Sequence, residues 1–150
     1  MNIVLVHPLI PQNTGNIARL TAATETDLHL IEPLGFELSD RYLKRAGLDY
    51  WAEVRLFLHA NWEAFLEEKI PERLWLFSTR ASTPFTEVNY GPDDFLVFGN
   101  ESEGLPAHFH QRYADLRLRI PFENQRVRSL NLANSVAVAL YEARRQLGIP

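Results

Sequence analysis

Six short β-favouring runs, at residues 3–6, 28–31, 54–57, 74–77, 95–98 and 116–120, alternate with stretches of helical character. Several of these runs are apolar at every position. A strand apolar on both faces needs cover on both faces, which parallel strands flanked by helices provide. The helical stretches fall at 14–24, 40–46, 62–68 and 107–113, and the longest at 131–146. Alternation of this kind predicts an α/β fold: a single domain over residues 1–150, with a mainly parallel sheet flanked by helices.

The C-terminal helical stretch adds a second constraint. Leu130, Leu132, Ala133, Val136, Ala137, Val138, Ala139 and Leu140 leave almost no polar face in its first three turns. A helix apolar all round needs cover on two sides. Burial within one chain and a two-fold homodimer both supply it, and both stay open at this point.

The chain has no cysteine, which excludes disulfides, thiolate metal sites and a cysteine nucleophile. No signal-like leader precedes the first apolar run, and no apolar stretch approaches membrane-spanning length. A soluble, cytoplasmic protein without a membrane partner is expected. The formal net charge is −4, which argues against an indiscriminate nucleic-acid coat. The cations are unevenly spread, however. Arg112, Arg117, Arg119, Arg126 and Arg128 face only Asp115 and Glu123 within the same span, and Arg41, Lys44 and Arg45 form a second cluster. Local basic patches on an acidic protein suit a defined nucleic-acid substrate.

Functional groups in open α/β sheets collect at the carboxyl ends of strands. Three polar segments occupy such places. Pro11-Gln12-Asn13-Thr14-Gly15-Asn16-Ile17-Ala18-Arg19 follows the first strand, where Asn13 or Thr14 can cap a helix. Phe98-Gly99-Asn100-Glu101-Ser102-Glu103-Gly104-Leu105-Pro106 places two glycines around a charged turn, so backbone can approach a ligand closely. Glu101 and Glu103 lack a nearby His or Asp at ligand spacing, so no metal is expected. The third segment, Arg126-Val127-Arg128-Ser129-Leu130-Asn131, is a basic tip leading into the long helix. Local chemistry alone makes Ser129 a helix cap, but so many polar groups at a helix mouth also suit an anionic ligand.

The order of these segments resembles the SPOUT superfamily of RNA methyltransferases, and within it the TrmL type that acts on tRNA cytidine or uridine 34. The similarity lies in Asn-Thr-Gly-Asn-Ile-x-Arg (13–19), Phe-Gly-x-Glu-x-x-Gly-Leu-Pro (98–106) and Arg-Ile-Pro (119–121). It continues through Arg-Ser-Leu-Asn-Leu-x-Asn-Ser-Val-Ala-Val (128–138), and it covers essentially the whole chain.

The resemblance implies a deep trefoil knot in the C-terminal part of the fold and a homodimer. It implies S-adenosyl-L-methionine as cofactor and the anticodon stem-loop of tRNA as partner. Asn13, Arg19, Glu101, Ser129 and Asn131 are the implied catalytic residues. Phe77, Gly99, Ile120, Ser129 and Leu130 are the implied cofactor contacts, largely through backbone. The clusters Arg41, Lys44, Arg45 and Arg126, Arg128 are the expected RNA contacts. The implied activity is methylation of the ribose 2′-hydroxyl at the wobble nucleotide. The alternatives are another tRNA or rRNA position, or a catalytically silent RNA-binding protein of the same fold. A guanidinium is a poor proton acceptor, so Arg19 is read as holding phosphate and polarising the hydroxyl. Asn100 stands where the family usually has Pro, and Trp51 where it often has His.

Overall fold

The computed structural model describes residues 1–39, 41–46 and 48–150, and of residues 42, 44, 46, 48 and 49 only the backbone. In chain order the regular elements are β1 (Asn2–Val6), α1 (Pro11–Ala23), β2 (Asp27–Ile31), α2 (Arg41–Ala46), β3 (Leu56–His59), α3 (Trp62–Lys69), β4 (Leu74–Phe77), β5 (Phe95–Phe98), α4 (Phe109–Arg112), β6 (Arg117–Leu118) and α5 (Leu132–Gln146). Short 3₁₀ turns at Leu48–Glu53 and Ala114–Leu116 complete the set. The six strands form one sheet in the order β3-β2-β1-β5-β4-β6, and every pairing is parallel. The expected α/β domain is therefore present.

The apolar strands are covered as their composition requires. Ile3, Leu5, Leu28, Leu30, Leu96 and Phe98 point to one face, where they meet Ile17 and Ala18 of α1 and Val136, Ala139, Leu140 and Ala143 of α5. Their alternates Val4, Val6, Ile31, Phe95 and Val97 point to the other face, against Trp62 and Phe65 of α3 and Phe109 of α4. Burying one such side chain contributes roughly 1.5–3 kcal/mol. Alternation along each strand thus feeds two cores from one sheet.

Several boundaries differ from the expected ones: β6 is only Arg117–Leu118 and α4 only Phe109–Arg112, and three further differences have a local cause. Strand β3 begins two residues later, because Val54 closes the preceding 3₁₀ turn through its N–H on the Trp51 carbonyl. Helix α1 begins at Pro11, with Ile10 as its cap, so Asn13 and Thr14 lie inside the helix and do not cap it. Helix α5 is capped by Asn131, whose side chain accepts from the Asn134 N–H, and not by Ser129. Nor is α5 buried all round: Val138 and Tyr141 are exposed.

A buried polar chain crosses the β2–β3 edge. His29 Nδ1 lies 3.0 Å from His59 Nε2, and His59 Nδ1 lies 3.0 Å from Glu68 Oε2. The carboxylate only accepts, so His59 donates from Nδ1, while His29 Nε2 lies 3.3 Å from the Asn2 Oδ1 acceptor at the other end of the chain. Burial, with His59 and Lys69 adding to it, pushes His29 from 6.5 down to about 3. Burial also lowers His59, against the opposing pull of Glu68. Both rings bind protons more readily in the unfolded chain, so their contribution to stability is complete above about 6.5 and falls as pH drops below it, the His29 part being lost towards about 3. Urea unfolding should show lower stability at pH 5 than at pH 7, and His29→Gln should flatten that difference. An unchanged slope in the variant would assign the pH dependence to other groups.

Candidate active site

The carboxyl ends of β1, β4 and β5 and the segment after β6 enclose a cavity of about 560 Å³. Its apolar wall includes Phe77 and Phe98, whose rings stack with centroids 4.7 Å apart and planes 13° from parallel. Ile120, Leu130 and Leu132 also border it. Polar groups converge from the three segments singled out in the sequence: Asn13 from α1, Glu101 after β5, and Ser129 and Asn131 before α5. An apolar slot with a few directed polar groups is the general form of a small-molecule site.

The turn after β5 is built on close backbone contact. The Asn100 N–H donates to the Gly104 carbonyl at 3.0 Å, and the Gly104 N–H returns a bond at 3.1 Å. This folds the turn back onto Gly99. A Cβ there would lie 1.9 Å from the Gly104 carbonyl carbon and 2.1 Å from the Leu105 nitrogen. Only glycine fits. Gly104 itself has φ of 75°, in the region that favours glycine.

Glu101 then reaches across to the entry of α1. Its Oε1 accepts from the Leu9 N–H at 3.0 Å and its Oε2 from the Ile10 N–H at 2.5 Å. The α1 cap residue Ile10 has no side chain able to satisfy these donors, and Pro11 has no N–H. A carboxylate from a distant loop fills that role and also complements the positive end of the helix dipole. On the other side of the cavity, Asn131 donates from Nδ2 to Asn13 Oδ1 at 3.1 Å. The same Asn131 caps α5. One residue therefore joins the start of α5 to the first turn of α1.

All five expected cofactor contacts, Phe77, Gly99, Ile120, Ser129 and Leu130, border this one cavity. Of the expected catalytic set, Asn13, Glu101, Ser129 and Asn131 border it, whereas Arg19 does not. Arg19 is exposed on α1, with its guanidinium 4.8 Å from the centre of the Tyr50 ring. Of the expected RNA contacts, Arg128 lies at the cavity rim. Arg41, Arg45 and Arg126 are exposed away from the lining, and the Lys44 side chain lies outside the described residues.

Ile10, Arg80, Phe98, Asn100 and His110 also border the cavity, though the sequence reading did not select them as site residues. The residue pattern around His110 carried no signal for it, since it sits in a four-residue helix. Its Nδ1 lies 3.3 Å from Arg117 Nη1, which can only donate, so the ring hydrogen is on Nε2. Burial, with Arg80 and Arg117 nearby, lowers its pKa. Among the described residues there is no cluster of His, Cys, Asp and Glu suited to a metal ion, and no helix long and apolar enough to cross a membrane.

A cavity at the carboxyl edge of a parallel α/β sheet is a general ligand-binding arrangement; the chain belongs to the SpoU rRNA Methylase family, whose pattern it matches over residues 1–141. The match extends to particular relatives. The chain is 52% identical over 148 residues to the tRNA (cytidine(34)-2′-O)-methyltransferase of Saccharophagus degradans, covering 98% of this chain and 96% of that one. It is 46% identical over 151 residues to the enzyme of the same name from Escherichia coli K12, covering 100% and 96%. A solved structure described as "Structural insights into the 2-OH methylation of C/U34 on tRNA" superposes with a TM-score of 0.92 at 49% identity, covering 98% and 95% of the two chains. An AdoMet-bound rRNA methyltransferase from Sinorhizobium meliloti superposes at 0.84 with 26% identity, covering 97% of this chain and 56% of the other. The family resemblance read from the sequence is thereby borne out.

Proposed function

We propose that the protein transfers a methyl group from S-adenosyl-L-methionine to the ribose 2′-hydroxyl of nucleotide 34 of tRNA, a cytidine or modified uridine. The observation that carries this reading is the convergence of Asn13, Glu101, Ser129 and Asn131 on one cavity. It occurs in a chain that aligns along its whole length with enzymes named for that reaction. Residues 1–150 act as one methyltransferase domain.

The residues present fit the methyl donor. Apolar and aromatic walls suit adenine, and the tight turn at Gly99 leaves backbone close to a bound ligand. Phe77, Gly99, Ile120, Ser129 and Leu130 would hold it. When bound, its sulfonium supplies an activated methyl group. The protein's part is then to align the ribose oxygen and to let its proton leave. Ser129, exposed at the rim, offers a hydroxyl to the ribose. Asn131 and Asn13 keep the two walls in register through their shared hydrogen bond. Glu101 spends both oxygens on backbone N–H groups, so its role is to hold α1 rather than to accept the ribose proton. Arg19, outside the lining and exposed, serves the RNA. Arg41, Lys44, Arg45, Arg126 and Arg128 are assigned to the anticodon stem-loop. DNA is excluded because it lacks the attacking oxygen.

The same reading includes a homodimer, a cytoplasmic setting and the C-terminal trefoil knot. Exposed Val138 and Tyr141 on α5 favour the dimer. In support of the knot, the β4–β5 connection pairs with the chain leaving β6. The Phe85 N–H donates to the Arg119 carbonyl, the Arg119 N–H to the Thr83 carbonyl, and the Tyr90 N–H reaches Gln146 on α5.

Incubation with S-adenosyl-L-methionine and unmodified tRNA, followed by nucleoside mass spectrometry, tests the reading. A 2′-O-methylated nucleoside at position 34 is the expected product. A methyl on a base, or on a ribose elsewhere, would overturn it. No turnover and no binding of S-adenosylhomocysteine by calorimetry would favour the silent RNA-binding alternative.

A further inference from the structure

We infer that Asn100 is a positioning residue for methyl transfer, acting through Glu101; the kinetic part of this inference rests on the function proposed above. Asn100 follows Gly99 at the end of β5, half-buried at the cavity wall. Its Oδ1 accepts from the Ser102 N–H at 3.0 Å and from the Glu103 N–H at 2.7 Å. Its own N–H and carbonyl exchange two more bonds with Gly104. Four bonds therefore fix one residue, and Glu101 is the next residue along.

The direction of the Glu101 side chain is set by this turn. The carboxylate must span from the β5 end to the entry of α1, and both of its oxygens are engaged on arrival. A glutamate carries three side-chain torsions, so ordering it costs conformational entropy unless its backbone is already fixed. Asn100 fixes it. The two N–H groups that Asn100 holds belong to exposed residues, so water can replace their partner when the carboxamide is removed. Loss of Asn100 should therefore loosen the Glu101 clamp while leaving the two cores intact. In chemical terms, Asn100 touches neither ribose nor methyl; it orients the carboxylate that orients α1 and Asn13.

The test is a double-variant cycle with Asn100→Ala, Glu101→Gln and the pair, together with Asn100→Asp, in which a carboxylate oxygen accepts the same two N–H groups. Asn100→Ala should lower kcat about tenfold, the effect of losing roughly one well-made hydrogen bond in the ordered site. Asn100→Asp should restore most of that loss. Combined with Glu101→Gln, Asn100→Ala should add little further loss, because both act on one clamp. Melting temperatures of Asn100→Ala and the wild type should agree within about 2 °C. Amide hydrogen exchange in the free protein supplies a readout independent of any substrate. Exchange at Leu9 and Ile10 should quicken in Asn100→Ala as it does in Glu101→Gln, with Leu96 in the sheet unchanged. Multiplying kinetic losses, failure of aspartate to rescue, or unchanged exchange at Leu9 and Ile10 would each overturn the inference. If the exchange result holds but methylation occurs away from nucleotide 34, the clamp stands and the substrate reading fails.

Discussion

Gly99→Ala is expected to abolish binding of S-adenosylhomocysteine, with affinity falling at least about 100-fold by calorimetry. The added methyl carbon would sit 1.9 Å from the Gly104 carbonyl carbon and 2.1 Å from the Leu105 nitrogen. Both obstacles are backbone, so no rotamer change relieves the overlap. The turn must open, which breaks the paired Asn100–Gly104 bonds and displaces the wall that carries Glu101. Stability should fall as well, because Leu105 is buried in the core on the far face of the sheet. Gly104→Ala offers the internal comparison. Its Cβ meets no atom within 4 Å, and only its φ of 75° opposes the change, so the affinity loss should be much smaller. Equal and small effects at both positions would show that the turn is not the cofactor wall.

Glu101→Gln is expected to reduce kcat by about 100-fold while leaving the fold intact, since charge-assisted bonds of this kind contribute about 1.5–3 kcal/mol each. A glutamine can present only one oxygen. One of the two N–H groups at Leu9 and Ile10 then faces an NH₂ group, and the negative charge at the α1 N-terminus disappears. Helix α1 carries Asn13, so the disturbance reaches Asn131 and the tip of α5 through their hydrogen bond. Steady-state kinetics should show the loss chiefly in kcat. A pH–rate profile of the residual activity should keep the wild-type shape, because Glu101 holds structure and does not carry the proton. A profile that loses an acidic limb in Glu101→Gln would instead make this carboxylate the base.

Much of this arrangement was legible in the sequence, and the reasons differ by element. Runs such as Ile3–Val6 and Phe95–Phe98 are apolar at consecutive positions because alternate residues feed two cores, and that pattern is local. The polar segments at residues 11–19, 98–106 and 126–131 stood out because polar groups at strand ends need a reason to be there. Partnerships between distant segments were not legible. Nothing near Glu101 reveals that its partners are the N–H groups of Leu9 and Ile10, about ninety residues earlier. The buried pair His29–His59 likewise reads as two isolated histidines until β2 and β3 are placed side by side. Helix caps were misplaced, by two positions at α5 and by three or four at α1. Ser129, Asn131 and Thr14 all have cap chemistry, and only the backbone path selects Asn131. Strand β3 was placed early because Val54 is apolar and β-branched, although its N–H belongs to a 3₁₀ turn.

The central claim is that one ribose oxygen, at nucleotide 34 of tRNA, receives the methyl group in the cavity between Gly99 and Ser129. Two anticodon stem-loop RNAs that differ only at that nucleotide, one ribo and one 2′-deoxy, test it most directly. With labelled S-adenosyl-L-methionine, the ribo form should accept label and the deoxy form should accept none, while both bind the protein with similar affinity. Equal labelling of the two RNAs would contradict the account.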